Sequence, residues 1–285
     1  MTAAISEPAP GVWVARSGFC RMNSVIVAAG KDCLLIDPGV SGAELVRLAA
    51  FVADRGLRVV AGVSTHPHWD HLLWHESLGS VPRWASATAV AAAMRTRDAD
   101  VAEAGRYAPG ADPGVLGRLT ALSADARSVP WDGPTVRLVR HDAHAPGHLG
   151  LLIEPAGILV AGDMLSDVEI PLLDDGSADP VGEYRSGLDL LAGLLDEATL
   201  LVPGHGAVGD RAEMDRRLEL DRRYLDALSS GGGDDDPRLS RAPQGPRNAA
   251  TPERAVRLSP AAGYGADWLP GAHAAQRDRY RSPPR

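Results

Sequence analysis

Residues Leu57–Gly79 read LRVVAGVSTHPHWDHLLWHESLG. The mostly apolar run Leu57–Val63 has the length and β-branched content of a buried strand. The loop that follows carries His66, His68, Asp70 and His71. Imidazole and carboxylate donors packed this closely on a strand-end loop suit a borderline cation such as zinc. One tetrahedral ion could not use all four donors and still keep a position open for water, so the spacing points to two ions sharing the loop.

Working outward, Val12–Ala15, Asn23–Ala28 and Cys33–Ile36 read as strands, the last two joined by a turn at Gly30-Lys31. Asp37-Pro38-Gly39 stops the third strand, and Ala43–Asp54 has a helical apolar period ending at Gly56. Trp69–Leu78 is expected as a short helix and Arg83–Ala85 as a short strand. Alanine-rich Ala87–Leu122 is expected as two helices broken near Pro109-Gly110, long enough to cap a substrate pocket. Thr135–His141, Leu149–Glu154, Ile158–Ala161 and Thr199–Val202 read as strands, and Glu183–Leu195 and Arg211–Leu228 as helices. Strands in runs at both ends with helices between them indicate an α+β domain of two face-to-face sheets, each covered by helices. This domain is expected to span residues 1–228. The composition changes at SSGGGDDD, residues 229–236, which reads as a linker. Residues 237–285 are expected to be a mostly irregular tail, with Trp268 and Leu269 the part that docks.

Of the 285 residues, 45% are hydrophobic and 23% charged, with a net charge of −8. That is globular composition, and its acidity disfavours a nucleic-acid partner. No apolar run approaches the ~20 residues of a membrane span. Met1–Gly11 shows neither a basic nor an apolar signal region, so the expected location is cytoplasmic. Cys20 and Cys33, two in all, exclude a disulfide scaffold. The turn at Gly30-Lys31 sets Cys33 opposite Ser24–Val27 rather than Cys20, so both read as packing residues or free thiols.

Further donors sit beside glycine at strand ends: His148 in Ala145-Pro146-Gly147-His148, Asp163 in Ala161-Gly162-Asp163, and His205 in Pro203-Gly204-His205. With these motifs the sequence resembles the metallo-β-lactamase superfamily over residues 10–228. The resemblance implies a four-layer αβ/βα sandwich with two divalent metal ions, zinc by preference, at one edge. It assigns His66, His68 and His148 to one ion, Asp70, His71 and His205 to the other, and Asp163 to a bridge between them. Asp37 would stand behind the metal loop in a structural role. The implied reaction is hydrolysis of an ester, lactone, thioester or related bond in a small molecule by a metal-bridging hydroxide, with Asp70 and Asp163 as the catalytic carboxylates. An aspartate at 163 resembles the glyoxalase II and lactonase branches rather than true β-lactamases. Ser166 stands where signalling-lactone hydrolases often carry tyrosine, and glutathione-binding residues have no match here. Asp174, Asp175 and Asp179 form an acidic rim unsuited to RNA. The alternative is a mononuclear non-haem iron persulfide dioxygenase using His66, His148 and Asp163. The diiron flavin-partnered branch is disfavoured because His68 stands where it has glutamate.

Other residues admit two readings. Trp69 walls the pocket or simply packs. His75, four residues after His71, reaches the site or serves the surface. His141 and His144 orient ligands or touch substrate, or are exposed at a strand end.

Overall fold

Apolar residues occupy both faces of most strands, which is what a strand needs when it lies between a second sheet and a helix layer. The computed structural model describes residues 5–240 and 268–280. Among them, one sheet contains β1 (Ile5–Ala9), β2 (Val12–Arg16), β3 (Asn23–Ala29), β4 (Asp32–Ile36), β5 (Arg58–Val63), β6 (Arg83–Ala85) and β7 (Thr120–Ala121), in that spatial order. The other contains β8 (Val136–Arg140), β9 (Leu149–Ile153), β10 (Ile158–Gly162), β11 (Leu200–Pro203) and β12 (Gly209–Asp210), again in spatial sequence. Helices α1 (Gly42–Asp54) and α2 (Ala87–Tyr107) cover the first sheet; α3 (Pro180–Ala192), α4 (Arg211–Ser229) and α5 (Trp268–Tyr280) cover the second.

The alternation is explicit. Val25, Val27, Leu34 and Ile36 face Leu149, Leu151, Ile158 and Val160 across the central layer. Their neighbours Ile26, Cys33 and Leu35 point outward to α1, and Leu152, Leu159 and Ala161 point outward to α3 and α4. Burying a leucine- or valine-sized side chain contributes about 1.5–3 kcal/mol, so these layers are the main stabilising term. The Gly30-Lys31 turn forms as expected, with Gly30 at φ +62°, but Cys33 stands opposite Ala28, one residue beyond the expected Ser24–Val27. Both cysteines are free and buried.

Several expectations need correction. Trp69–Leu78 is not one helix but two single 3₁₀ turns, Trp69–His71 and Glu76–Leu78. Ala87–Leu122 holds one helix of 21 residues, followed by a 3₁₀ turn at Pro113–Val115 and the short β7. Proline and glycine at 109 and 110 follow the end of α2 rather than divide two helices, because Pro113, Gly114 and Gly117 beyond them keep a second helix from forming. The stretch composed as a linker is anchored in the domain: Asp236 and Arg238 are buried, and Arg238 pairs with Asp221 of α4 at 2.5 Å. Part of the tail expected to be irregular, Trp268–Tyr280, is helical and buries Leu269 against the second sheet's helices. The remaining tail, 241–267 and 281–285, lies outside the described residues.

Candidate metal centre

The site forms where strand ends from both sheets meet. β5 leads into His66–His71, β8 into His141–His144, β10 into Asp163 and β11 into His205. The two sheets are tied here by Leu149 N donating to Thr65 O at 2.8 Å and Asn23 N donating to Gly204 O at 2.7 Å. Gly204 is required by the close approach of the two loops, since a Cβ there would fall 2.0 Å from Asp163 Oδ1.

Asp37 organises the loop from behind. Buried and at φ +46°, it accepts from Thr65 N at 2.8 Å and Thr65 Oγ1 at 2.7 Å, and its Oδ2 lies 3.1 Å from His71 Nδ1. The Thr65 hydroxyl has one proton, and it goes to Asp37. The same oxygen, 2.9 Å from His66 Nδ1, therefore accepts from that ring and leaves the lone pair on His66 Nε2. His205 Nδ1 donates to Cys20 O at 3.0 Å and His144 Nδ1 to Leu172 O at 2.9 Å. His66 and His205 turn Nε2 toward the centre, whereas His144 Nε2 lies 3.0 Å from His68 Nδ1.

Those Nε2 atoms surround Asp163. Its Oδ2 lies 3.4 Å from His66, 3.5 Å from His144 and 3.5 Å from His205, and its Oδ1 lies 3.2 Å from His71 Nε2. Asp70 Oδ2 is 3.3 Å from His205 Nε2. Two sets of donors result: His66, His68, His144 and Asp163; and Asp70, His71 and His205.

These residues fit metal ions. His66 Nε2 and Asp163 Oδ1 are buried without a hydrogen-bond partner, an unfavourable arrangement unless a cation completes it. The Nε2 atoms of His71 and His205 lie 3.3 Å apart, while the Nδ1 atoms of both face acceptors. Two lone pairs so placed need a positive charge between them. Burial disfavours a charge on His71, yet Asp163, Asp70 and Asp37 outweigh it and hold the pKa well above the ordinary histidine value. Burial pushes His144 down to about 4, with His66 adding to the effect, so that ring is neutral, as a ligand must be. Asp163 stays ionised because His205, His71 and His66 overcome its burial.

The sequence-predicted residues His66, His68, Asp70, His71, Asp163 and His205 converge. His148 does not join them. Its Nε2 accepts from Asp163 N at 3.2 Å, and its ring stacks on His66 and on His141, with centroids 5.0 and 4.6 Å apart. His144, on the same loop, turns its Nε2 to 3.5 Å from Asp163 Oδ2. The proline and glycine before His148 serve a turn, with Gly147 at φ +71° and its carbonyl accepting from Ser86 Oγ at 2.6 Å. The available signal was position: the other donors follow strand C-terminal ends, as His144 does, whereas His148 precedes a strand.

The remaining residues divide plainly. His75 caps the second 3₁₀ turn, accepting from Ser77 N at 3.1 Å. Trp69 is buried edge-on against Phe19, with centroids 5.3 Å apart. Ser166 donates to His205 O at 2.8 Å and so supports the loop. Asp174 and Asp179 accept from nearby backbone amides. One buried group escaped the sequence reading: Glu169, whose Oε1 is 3.7 Å from His205 Nδ1 and which groups with Asp163 and His205.

Comparison with known proteins agrees with this geometry. Residues 17–205 match the family model described as the metallo-beta-lactamase superfamily. A hydroxyacylglutathione hydrolase of Acidiphilium cryptum is 27% identical over 205 residues, 72% of each chain. An atrochrysone carboxyl ACP thioesterase of Aspergillus chevalieri is 25% identical over 221 residues, 72% of this chain and 60% of that one. Among solved structures, a beta-lactamase domain protein from Burkholderia ambifaria superposes with a TM-score of 0.61 at 22% identity, covering 80% of this chain and 79% of that one. The chain belongs to the metallo-beta-lactamase superfamily.

Proposed function

We propose that the protein is a dinuclear metal hydrolase of small-molecule acyl bonds, with a thioester as the favoured substrate. The observation that carries this reading is the position of Asp163, whose two oxygens stand between the two sets of imidazoles. His66, His68 and His144 would hold one ion, Asp70, His71 and His205 the other, and Asp163 both. Zinc suits this imidazole and carboxylate set. Two such ions supply an acidified water and a polarised carbonyl. The carboxylates of Asp70 and Asp163 would neutralise the two cations, and Asp70 would take up the proton released in the reaction. No serine or cysteine nucleophile is needed. The names of the two curated relatives, a hydroxyacylglutathione hydrolase and a thioesterase, support the acyl and thioester choice.

The single-iron dioxygenase reading draws on His66, His148 and Asp163. It is disfavoured because His148 spends its Nε2 on the Asp163 amide. It would also leave the second set of donors without a task. Elemental analysis of protein purified without added metal, beside hydrolysis assays on thioesters, lactones, aryl esters and phosphodiesters, tests the choice. About two zinc-type ions per chain and oxygen-independent thioester cleavage are expected. One iron per chain, with oxygen uptake on a persulfide at a catalytic rate, would overturn the proposal.

A further inference from the structure

Ser166 lies three residues beyond Asp163, and its side chain is buried. Its hydroxyl uses the one donor and both acceptor positions it has. It donates to His205 O at 2.8 Å and accepts from Val168 N at 3.1 Å and Glu169 N at 3.0 Å. The next residue holds the far side of the same turn, where Asp167 Oδ1 accepts from Ala207 N at 2.7 Å. The loop after β10 therefore grips the loop after β11 on both sides of Gly206. Gly206 sits at φ +116°, and a Cβ there would fall 2.2 Å from Asp167 Oδ1 and 3.4 Å from Ser166 Oγ. The second glycine of Gly204-His205-Gly206 is required by this contact, as the first is by Asp163.

The direction of Ser166 is fixed from behind. Leu165, at φ +57°, holds a left-handed conformation that a leucine side chain disfavours. Its N–H donates to Asp221 Oδ2 at 3.2 Å and its C=O accepts from Arg217 Nη1 at 3.3 Å, while Ser166 O accepts from Arg238 Nη1 at 3.4 Å. A strained residue persists where its surroundings over-determine it, and such residues cluster at functional sites. On the opposite side, the loop between β2 and β3 completes the enclosure of His205. Cys20 O accepts from the ring Nδ1 at 3.0 Å, and Arg21 O accepts from Gly206 N at 3.1 Å.

We propose that Ser166 is a positioning residue for the second metal ion. Its hydroxyl ties the loop that carries Asp163 to the main chain of His205. It thereby sets the spacing between Asp163 Oδ2 and His205 Nε2, which stand 3.5 Å apart, and with it the affinity of the second donor set for a divalent cation. This rests on Asp163 and His205 being ligands of that ion, as proposed above. Outer hydrogen bonds keep metal ligands aimed, and losing one commonly weakens metal binding about 10–100-fold.

The test is a Zn²⁺ titration of metal-stripped, full-length protein in competition with a chromophoric chelator, beside the visible absorption spectrum of the cobalt-loaded protein. Ser166→Ala removes the hydroxyl alone. One of two zinc sites is expected to weaken by about 10-fold, the lower end of such losses, while the other stays unchanged, and the cobalt spectrum is expected to shift. The double variant Ser166→Ala/His205→Ala is expected to bind no more weakly than His205→Ala alone, because both changes act on one ligand. If Ser166→Ala does not fold, Ser166→Cys, whose thiol is a weak donor, carries the same expectation. Unchanged zinc affinity in the folded variant, equal loss at both sites, or additive losses in the double variant would overturn the proposal. So would a lower melting temperature with an unchanged cobalt spectrum, the mark of a hydroxyl that serves the fold alone. Failure of the underlying site assignment has a different signature: His205→Ala itself would bind two zinc ions as the wild type does.

Discussion

Asp163 and His148 are joined by one hydrogen bond but have opposite tasks. Asp163 offers its carboxylate to imidazoles on two sides, so under the proposed assignment Asp163→Ala would remove a shared ligand and its charge. Metal content should fall below that of the wild type and turnover should drop by at least ~100-fold, the upper range for lost metal-site support. His148 only accepts the Asp163 amide and stacks on His66. His148→Ala should therefore keep the wild-type metal content while lowering the melting temperature, as expected for a buried ring replaced by a cavity. Loss of a metal ion in His148→Ala, with His144→Ala unaffected, would reverse the roles of these two histidines. The ambiguity between them shows where the sequence becomes hard to read. His66, His68, Asp70 and His71 announce themselves by crowding, and Asp163 and His205 by following apolar strands into glycine turns. His144 and His148 share one loop, and only the path of the backbone decides which ring faces Asp163.

Most strands were legible at the scale of elements because each is a short apolar run closed by a turn residue, and β8 to β11 lie within a residue or two of their expected bounds; the edge strands β1, β7 and β12, which carry no such run, were not. α2 was less legible. Its alanines favour helix everywhere, so the pattern does not mark its end, and its functional face shows only when packed. Ser86 caps it, accepting from Ala89 N at 3.0 Å. Farther along, Glu103 is buried and its carboxyl is pushed up to about 7, first by burial and then by Asp70, with Asp100 adding and Arg106 opposing. Asp100 is raised to about 6 by burial, against the hydrogen bond from Thr96. The sign follows from proton binding. Between the unfolded value, near 4.5, and about 7, the folded chain holds a proton on Glu103 that the unfolded chain has released. Stability attached to that proton is present below the lower value and is lost as pH rises through the upper one. Glu103→Gln should match the wild type at pH ~5 and melt several degrees higher at pH ~8. Equal melting temperatures at both pH values would show that burial of this carboxyl costs nothing.

For the whole molecule, the informative question is where the folded domain ends. A composition of serine, glycine and aspartate at 229–236 suggests that it ends at α4. The structure instead returns Arg238 to the interior, where its guanidinium meets Asp221 at 2.5 Å and Asp236 at 2.8 Å. Asp221 also accepts from Leu165 N at 3.2 Å, and Arg238 donates to Ser166 O at 3.4 Å, so this cluster braces the loop between Asp163 and Glu169. Composition could not reveal this, because a buried ion pair is set by the partner's position rather than by local sequence. The folded domain therefore takes in residues 229–240 and α5 as well as the sandwich. Truncation after Ser230 would leave Asp221 buried without its cation, and a broken buried pair costs about 3–5 kcal/mol. In a domain of this size that amounts to a melting temperature lower by about 10 °C. Truncation after Ser240 keeps Arg238 and should lose less, limited to the contacts of α5. The cause is separable from chain length by a double variant in the full chain, Asp221→Asn with Arg238→Met. Removing both charges should restore most of what Arg238→Met alone loses, since neither charge is then left unpaired. If truncation after Ser230 melts with the full chain, the boundary lies at α4 and the ion pair contributes nothing to the fold.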